Sequence, residues 1–393
     1  MMKRQQRFAL LLGLGLATGA CAQTPPPTPV SDASVAGAGC HTASASLHFD
    51  FEGASTSPCA IIGARDFALL VTPEHAPPIN PSPWYAFRYQ AAGDAPVTVT
   101  LHYLGGQHRY APKSRGADGE WRDLPVEPSA DGKATTIRLP SGEGLIAAQE
   151  IITPADARAD LARWSAATGA QPFTLGQSHD ARAIGAIRLG RADAPRLVVL
   201  LGRQHPPEVT GAIAMRAFVD ALATRADTLG DVQVLVVPML NPDGVARGHW
   251  RANRGSTDLN RDWGLFTQPE TRAVKAWLDA LPAGVRPVLM VDFHSTSRNL
   301  FYVQGPDEAS AAQQRFLAAW LGGKENALAG YPFTLEPRNA NPGSGTAKNW
   351  FHTAYAIPSY TYEVANDADR AAARAAARVL AQSLLPALDA ATP

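Results

Sequence analysis

Cysteine is scarce in this sequence, three residues in 393, so the chain can close at most one disulfide. Net charge is absent: Lys+Arg and Asp+Glu both number 35, and no basic surplus marks a nucleic-acid partner. No internal repeat of solenoid period is visible, which sets stacked-repeat architectures aside. Wholesale disorder is excluded as well, because hydrophobic residues make up 46% and charged residues 18%. The one long apolar run lies at the N-terminus, where "FALLLGLGLATGA" is too short to span a bilayer as a mature helix. What remains is a globular chain long enough for two domains with proper cores.

Residues 1–22 have the pattern of an export signal, the positive "MMKRQQR" followed by that apolar stretch. Two cleavage readings compete. "TGAC", ending in Cys21, has the form of a lipobox, after which the cysteine would carry lipid; "ACA" before Gln23 has the A-x-A form of a signal-peptidase site. Residues 23–40 include the Pro-rich "TPPPTPV" and read as a tether. Cys40 and Cys59 are then the pair left in the folded part, and an oxidising compartment would join them. The expected location is a bacterial periplasm or outer membrane, or outside the cell. A lipid on Cys21 is the one membrane attachment this reading allows.

Residues 41–152 alternate in short runs such as "FALLVTP", "WYAFRYQAA" and "VTVTLHYLG", broken by Gly, Pro and Asp clusters. Period-two alternation rich in β-branched and aromatic residues predicts an antiparallel β-sandwich. "TPADARADLARWSAA", from Thr153, predicts an amphipathic linking helix that opens a second domain, residues 153–393. There the character changes. "RLVVLLG", "VQVLVVPML" and "PVLMVDFHS" are continuous apolar runs alternating with helical stretches such as "PEVTGAIAMRAFVDALA". Such strands are buried on both faces, so the fold class is α/β, a mainly parallel mixed sheet flanked by helices. A last helix is expected over about 368–385, capped by Asn366–Asp367.

Ligand sites in these sheets gather at the carboxyl ends of strands. His205 and Glu208, in "LGRQHPPEVTG", follow one strand, and His294, in "VDFHSTS", is expected just past the end of another. Two ligands three residues apart are a weak sign alone, since a catalytic zinc commonly takes three and leaves a fourth position open. Between them, "NPDGVARGHWRANRGSTDLNRDWG" packs Arg247, Arg251, Arg254 and Arg261 into one loop. Guanidinium groups suit carboxylate recognition, although a solvated surface loop has the same composition. "IPSYTYEV" delivers Glu363 at the end of an apolar, aromatic run, where a carboxylate is costly unless paired or functional.

Taken in order, "HPPE", "NPDG", "GHWRANRGSTDLNR", "DFH" and "YTYE" resemble the zinc carboxypeptidase family known as M14, over about residues 166–390. The similarity is closer to its cytosolic-carboxypeptidase-like branch, whose members carry a β-sandwich before the catalytic domain. The resemblance implies one Zn2+ per chain, held by His205, Glu208 and His294, with Asp258 orienting His205. It implies Glu363 as general base toward zinc-activated water and Arg251 as the group that polarises the scissile carbonyl. Asn260 and Arg261 would clamp the α-carboxylate of a peptide with a free C-terminus. Lys348, fifteen residues before Glu363, would line the pocket for the last side chain and favour an acidic one, unless it snorkels to solvent.

One departure concerns a tyrosine that many members carry about 22 residues before the catalytic Glu. Asn341 stands there, Tyr331 is the nearest tyrosine upstream, and the substrate-capping position stays unassigned. Nothing resembling a separate inhibitory pro-domain is evident. Two other readings stay open: a zinc deacylase of N-acyl amino acids, and an inactive envelope binding module. Oligomeric state is not legible.

Overall fold

The computed structural model describes residues 39–55, 57–76, 79–339 and 344–391. The expected signal segment with Cys21, nearly all of the tether, and Asn341 lie outside the described residues. Eleven strands come first among them: β1 (Cys40–His41), β2 (Ala45–His48), β3 (Cys59–Ile61), β4 (Asp66–Val71), β5 (Ala86–Ala91), β6 (Val97–Tyr103), β7 (Lys113–Arg115), β8 (Trp121–Asp123), β9 (Glu127–Pro128), β10 (Ala134–Leu139) and β11 (Gly142–Ala147). Their alternation sorts side chains by face: in β6, Val97, Val99, Leu101 and Tyr103 are buried while Thr98, Thr100 and His102 are half-buried.

These strands form two sheets, ordered β1-β2-β5-β11-β7-β8 and β3-β4-β6-β10-β9. Every pairing is antiparallel except β4 with β6. That exception has a topological cause. Between β4 and β6 the chain crosses to the other sheet to form β5, and it returns running the same way. Cys40 and Cys59 are joined by a disulfide with Cα atoms 6.0 Å apart, tying the first strand of one sheet to the first strand of the other.

Helix α1 (Pro154–Thr168) follows, begun by a capping box in which Thr153 and Asp156 satisfy each other's backbone N–H, with Pro154 in the first turn. The second domain then adds β12 (Pro172–Gln177), β13 (Ala183–Leu189), β14 (Arg196–Gly202), α2 (Val209–Ala223), β15 (Val232–Val237), α3 (Pro242–Ala246), α4 (Pro269–Asp279), β16 (Arg286–Thr296), β17 (Leu300–Val303), α5 (Ala311–Trp320), β18 (Thr334–Pro337), α6 (Ala347–Tyr355), β19 (Ser359–Ala365) and α7 (Arg370–Ala391). The final helix starts later than expected, and its cap is Asp369, whose carboxylate accepts the Ala372 N–H.

The eight strands form one sheet, ordered β12-β13-β15-β14-β16-β19-β17-β18, with a parallel centre from β15 to β19. Side chains of β15 alternate between two cores. Val234 and Val236 belong to a core shared with residues of α1, α2, α5 and α7, whereas Leu235 and Val237 belong to one shared with residues of α4 and α6. This two-sided burial is why the strands read as unbroken apolar runs. A third core belongs to the sandwich, and it does not stop at the domain boundary. Val209, Ala212 and Ile213 of α2, with Met239, Val245 and Trp250, pack into it alongside Phe67, Phe87 and Leu101.

Candidate metal centre

The turn after β14 is stiff. Arg203 holds φ at +52°, and Pro206 and Pro207 fix the two φ angles before Glu208, whose N–H bonds back to the His205 carbonyl at 3.3 Å. Glu208 stands at the N-cap of α2 but makes no capping bond, which leaves its carboxylate free to face the histidines. Gly211 brings the helix onto β16: a Cβ there would lie 2.4 Å from the His294 carbonyl oxygen. The approach is locked by Ser295, whose Oγ accepts the Gly211 N–H at 2.8 Å. His294 itself lies inside β16, two residues before its end, rather than past it as the sequence suggested. Glu363 sits beside it in register on β19.

His205, Glu208 and His294 converge with ligand atoms all within 4.8 Å of one another. His205 Nδ1 is 2.9 Å from Glu208 Oε1, His294 Nδ1 is 2.7 Å from Glu208 Oε2, and the two Nδ1 atoms are 3.1 Å apart. The far nitrogens face carboxylates: His205 Nε2 is 2.9 Å from Asp258 Oδ1 and His294 Nε2 is 2.7 Å from Asp292 Oδ2. A carboxylate only accepts, so with a metal ion held between the two rings each Nε2 would keep its hydrogen and each Nδ1 would offer its lone pair to the centre.

The donor set fits zinc. Bonds of 2.0–2.1 Å in a tetrahedron separate neighbouring ligand atoms by roughly 3.3 Å, close to the 2.7–3.1 Å observed. The charge balance points the same way. Glu208, Asp258, Asp292 and Glu363 crowd a water-poor region where Arg251 is the guanidinium at hand, and a dication would offset the excess. Burial pulls the His294 pKa down, but the Asp292 and Glu208 carboxylates override it and hold it well above the usual imidazole value. Burial pushes Asp258 up, and His205 and Arg251 more than reverse that, keeping it ionised far below the ordinary range. Glu363 goes the other way. Burial, helped by the Glu208 charge and opposed by His294, His205 and Arg251, raises it to about 7. Its Oε2 is buried without a hydrogen-bond partner.

Asp258 also fixes Arg251, whose Nε donates to Asp258 Oδ2 at 2.9 Å while Nη1 lies 3.6 Å from Glu208 Oε1. Asn260 is buried, its Oδ1 accepting the Ala347 N–H at 2.8 Å and its Nδ2 3.4 Å from His294 Nε2. Arg261 is exposed at the rim, with Nη1 donating to the Asn260 carbonyl at 2.7 Å. Lys348, in the first turn of α6, does not snorkel. It is 4% exposed, donates to the Arg338 carbonyl, and burial lowers its pKa to about 8. Tyr331 is fully buried in the core beside α5 and α7, so it does not stand in for the capping tyrosine.

Sequence reasoning missed Asp292, Gln204 and Trp263. Gln204 Nε2 donates to Asp292 Oδ2 at 2.6 Å, and Trp263 Nε1 donates to Gln204 Oε1 at 2.9 Å, so an indole holds the amide that holds the carboxylate. The sign was present: residues two apart on a strand share a face, and "DFH" places Asp292 beside His294.

Comparison with known proteins agrees with this geometry. Cytosolic carboxypeptidase 2 of Danio rerio is 32% identical over 137 residues, 32% of this chain and 19% of that protein, so the chain spans less than a fifth of that relative's length. A metallo-carboxypeptidase from Burkholderia cenocepacia superposes with a TM-score of 0.72 at 19% identity, over 88% of this chain and 99% of that one. A Pseudomonas aeruginosa metallo-carboxypeptidase, in complex with (2-guanidinoethylmercapto)succinic acid, gives 0.69 at 19% identity over 88% and 100%. At these identities the likeness establishes the fold. The family model described as zinc carboxypeptidase, Peptidase_M14, matches residues 167–382. Because that span is more than half of the 393-residue chain and carries all three metal-facing side chains, the chain belongs to the M14 zinc carboxypeptidase family.

Proposed function

We propose that the protein is a zinc-dependent metallocarboxypeptidase that removes single residues from the C-termini of peptides. The observation that carries this reading is the Glu363 carboxylate, whose Oε2 is buried and unpartnered, in register beside His294 of the His205–Glu208–His294 cluster. Zinc in such a cluster lowers the pKa of water from 15.7 to about 7 and polarises a carbonyl. Glu363 takes the proton of the attacking water and returns it to the leaving amine. Arg251, held by Asp258 against the cluster, faces the oxyanion that develops on the scissile carbonyl. Asn260 and Arg261 bind the terminal carboxylate, which restricts cleavage to chain ends. The buried ammonium of Lys348, one residue from the Ala347 N–H that Asn260 holds, favours an acidic terminal side chain. Export belongs to the same proposal, supported by the leader pattern of residues 1–22 and by the Cys40–Cys59 disulfide.

The test is mass spectrometry of peptides differing only in their last residue, with and without a zinc chelator. Chelator-sensitive loss of one C-terminal residue is expected, fastest for Glu or Asp, with Lys348→Met lowering that preference about tenfold. An unchanged ranking in the variant removes Lys348 from the pocket. If no peptide is trimmed while zinc is bound, the carboxypeptidase reading fails and hydrolysis of N-acyl amino acids becomes the reaction to assay.

A further inference from the structure

The sandwich reaches the loop that carries Arg251 through the Glu74 side chain. Glu74 lies in the connection after β4, and its carboxylate accepts three consecutive backbone N–H groups of the loop that carries Arg251. Trp250 N donates to Oε2 at 2.7 Å, and Arg251 N and Ala252 N donate to Oε1 at 2.9 and 2.5 Å. Three successive N–H groups pointing at one spot form a concave anion site, and here the protein fills it with its own carboxylate. The same loop is pinned twice more. The Trp250 ring is buried in the sandwich core, close enough to Gly106 that a Cβ there would lie 3.1 Å from it, and the Ala252 carbonyl accepts from Asn241 Nδ2 at 3.2 Å. With its backbone held on the sandwich side, Arg251 sends its guanidinium the other way, to Asp258 and Glu208.

We propose that Glu74 is a positioning residue for Arg251, and that the sandwich takes part in the reaction by fixing this loop. The inference rests on the reading of Arg251 as the group that holds the oxyanion. Without the carboxylate, three N–H groups in a half-buried turn need other partners, and the loop must rotate to find them. A displacement of about 1 Å at a group aimed at developing charge is enough to cost on the order of 100-fold in rate. Glutamine in this place keeps one acceptor but turns an amide toward an N–H, so donor faces donor.

The experiment compares wild type, Glu74→Gln, Arg251→Ala and the double variant in the full chain, well below each melting temperature. Glu74→Gln is expected to lower kcat by about 10–100-fold, with KM changed less than threefold and one zinc retained per chain. In the Arg251→Ala background the same change should cost less than threefold, because the group it positions is gone. Equal losses in both backgrounds, or no loss in the wild-type background, overturn the proposal. If Arg251→Ala alone leaves kcat intact, the role given to Arg251 is what fails, a distinct result. Should Glu74→Gln not fold, Glu74→Asp, which keeps the charge and retracts it by one methylene, is judged by the same criteria.

Discussion

Replacing Asp292 by asparagine removes one unit of charge and almost no volume from the floor of the metal centre. Two bonds change. The contact to His294 Nε2, 2.7 Å long, goes from charge-assisted to neutral, a loss of about 1 kcal/mol. The contact to Gln204 Nε2, 2.6 Å long, is made to the same Oδ2, so an amide oxygen kept there still serves both donors, and the new NH2 takes the place of Oδ1, which is buried without a partner. An NH2 left there without an acceptor costs about 1–3 kcal/mol in a site with no exposure at Asp292. The imidazole is then both less basic and less firmly aimed, and zinc affinity should fall about 10–100-fold. Competition with a fluorescent chelator of known zinc affinity measures this directly, without any peptide substrate. A dissociation constant within threefold of wild type would refute the reasoning and reduce Asp292 to a packing residue.

Glu363→Gln should keep one zinc per chain, by metal analysis, while kcat falls about 10²–10⁴-fold; activity within tenfold of wild type would place the general base elsewhere. A second expectation concerns pH and stability. Burial pushes the Glu150 carboxyl up, but the Arg370 guanidinium, donating to both its oxygens at 2.7 and 2.9 Å, holds it below the usual range. A depressed pKa stabilises above the unfolded value of about 4.5 and loses that contribution as pH falls through the folded one. Glu150→Gln should therefore destabilise by about 1–3 kcal/mol at pH 7. The gap in melting temperature from wild type should close as pH drops below about 4. A gap that persists in acid argues for lost packing rather than a lost charge pair.

His205, Glu208 and Glu363 were legible because each sits in a short motif at the end of an apolar run. Continuous apolar runs likewise announced the central strands, since burial on both faces leaves no polar alternation to obscure them. Other features escaped for physical reasons. Asp292 reads as a polar interruption in a core strand until Gln204, 88 residues away, is seen bonded to it. Glu74 lies 176 residues before Trp250, in a module that the sequence pattern sets apart, and no local periodicity reports such a contact. The direction of Lys348 depends on the Arg338 carbonyl ten residues earlier, which composition does not encode. The parallel β4–β6 pair is a matter of which sheet β5 joins, and alternation alone gives faces rather than partners.

The sandwich core that runs into α2 bears on how the chain acquires its structure. Val209, which follows Glu208 directly, is buried in that core with Ala212 and Ile213. The helix that aims Glu208 is thus seated partly on strands made at the other end of the chain. Those strands leave the ribosome first, so the platform can exist before the helix that needs it is synthesised. A fragment beginning at Thr153 would leave Ile213, Met239, Val245 and Trp250 uncovered, an adhesive surface where the intact chain has an interior. The two modules therefore share one continuous core, and their boundary is a division of sequence pattern rather than of packing.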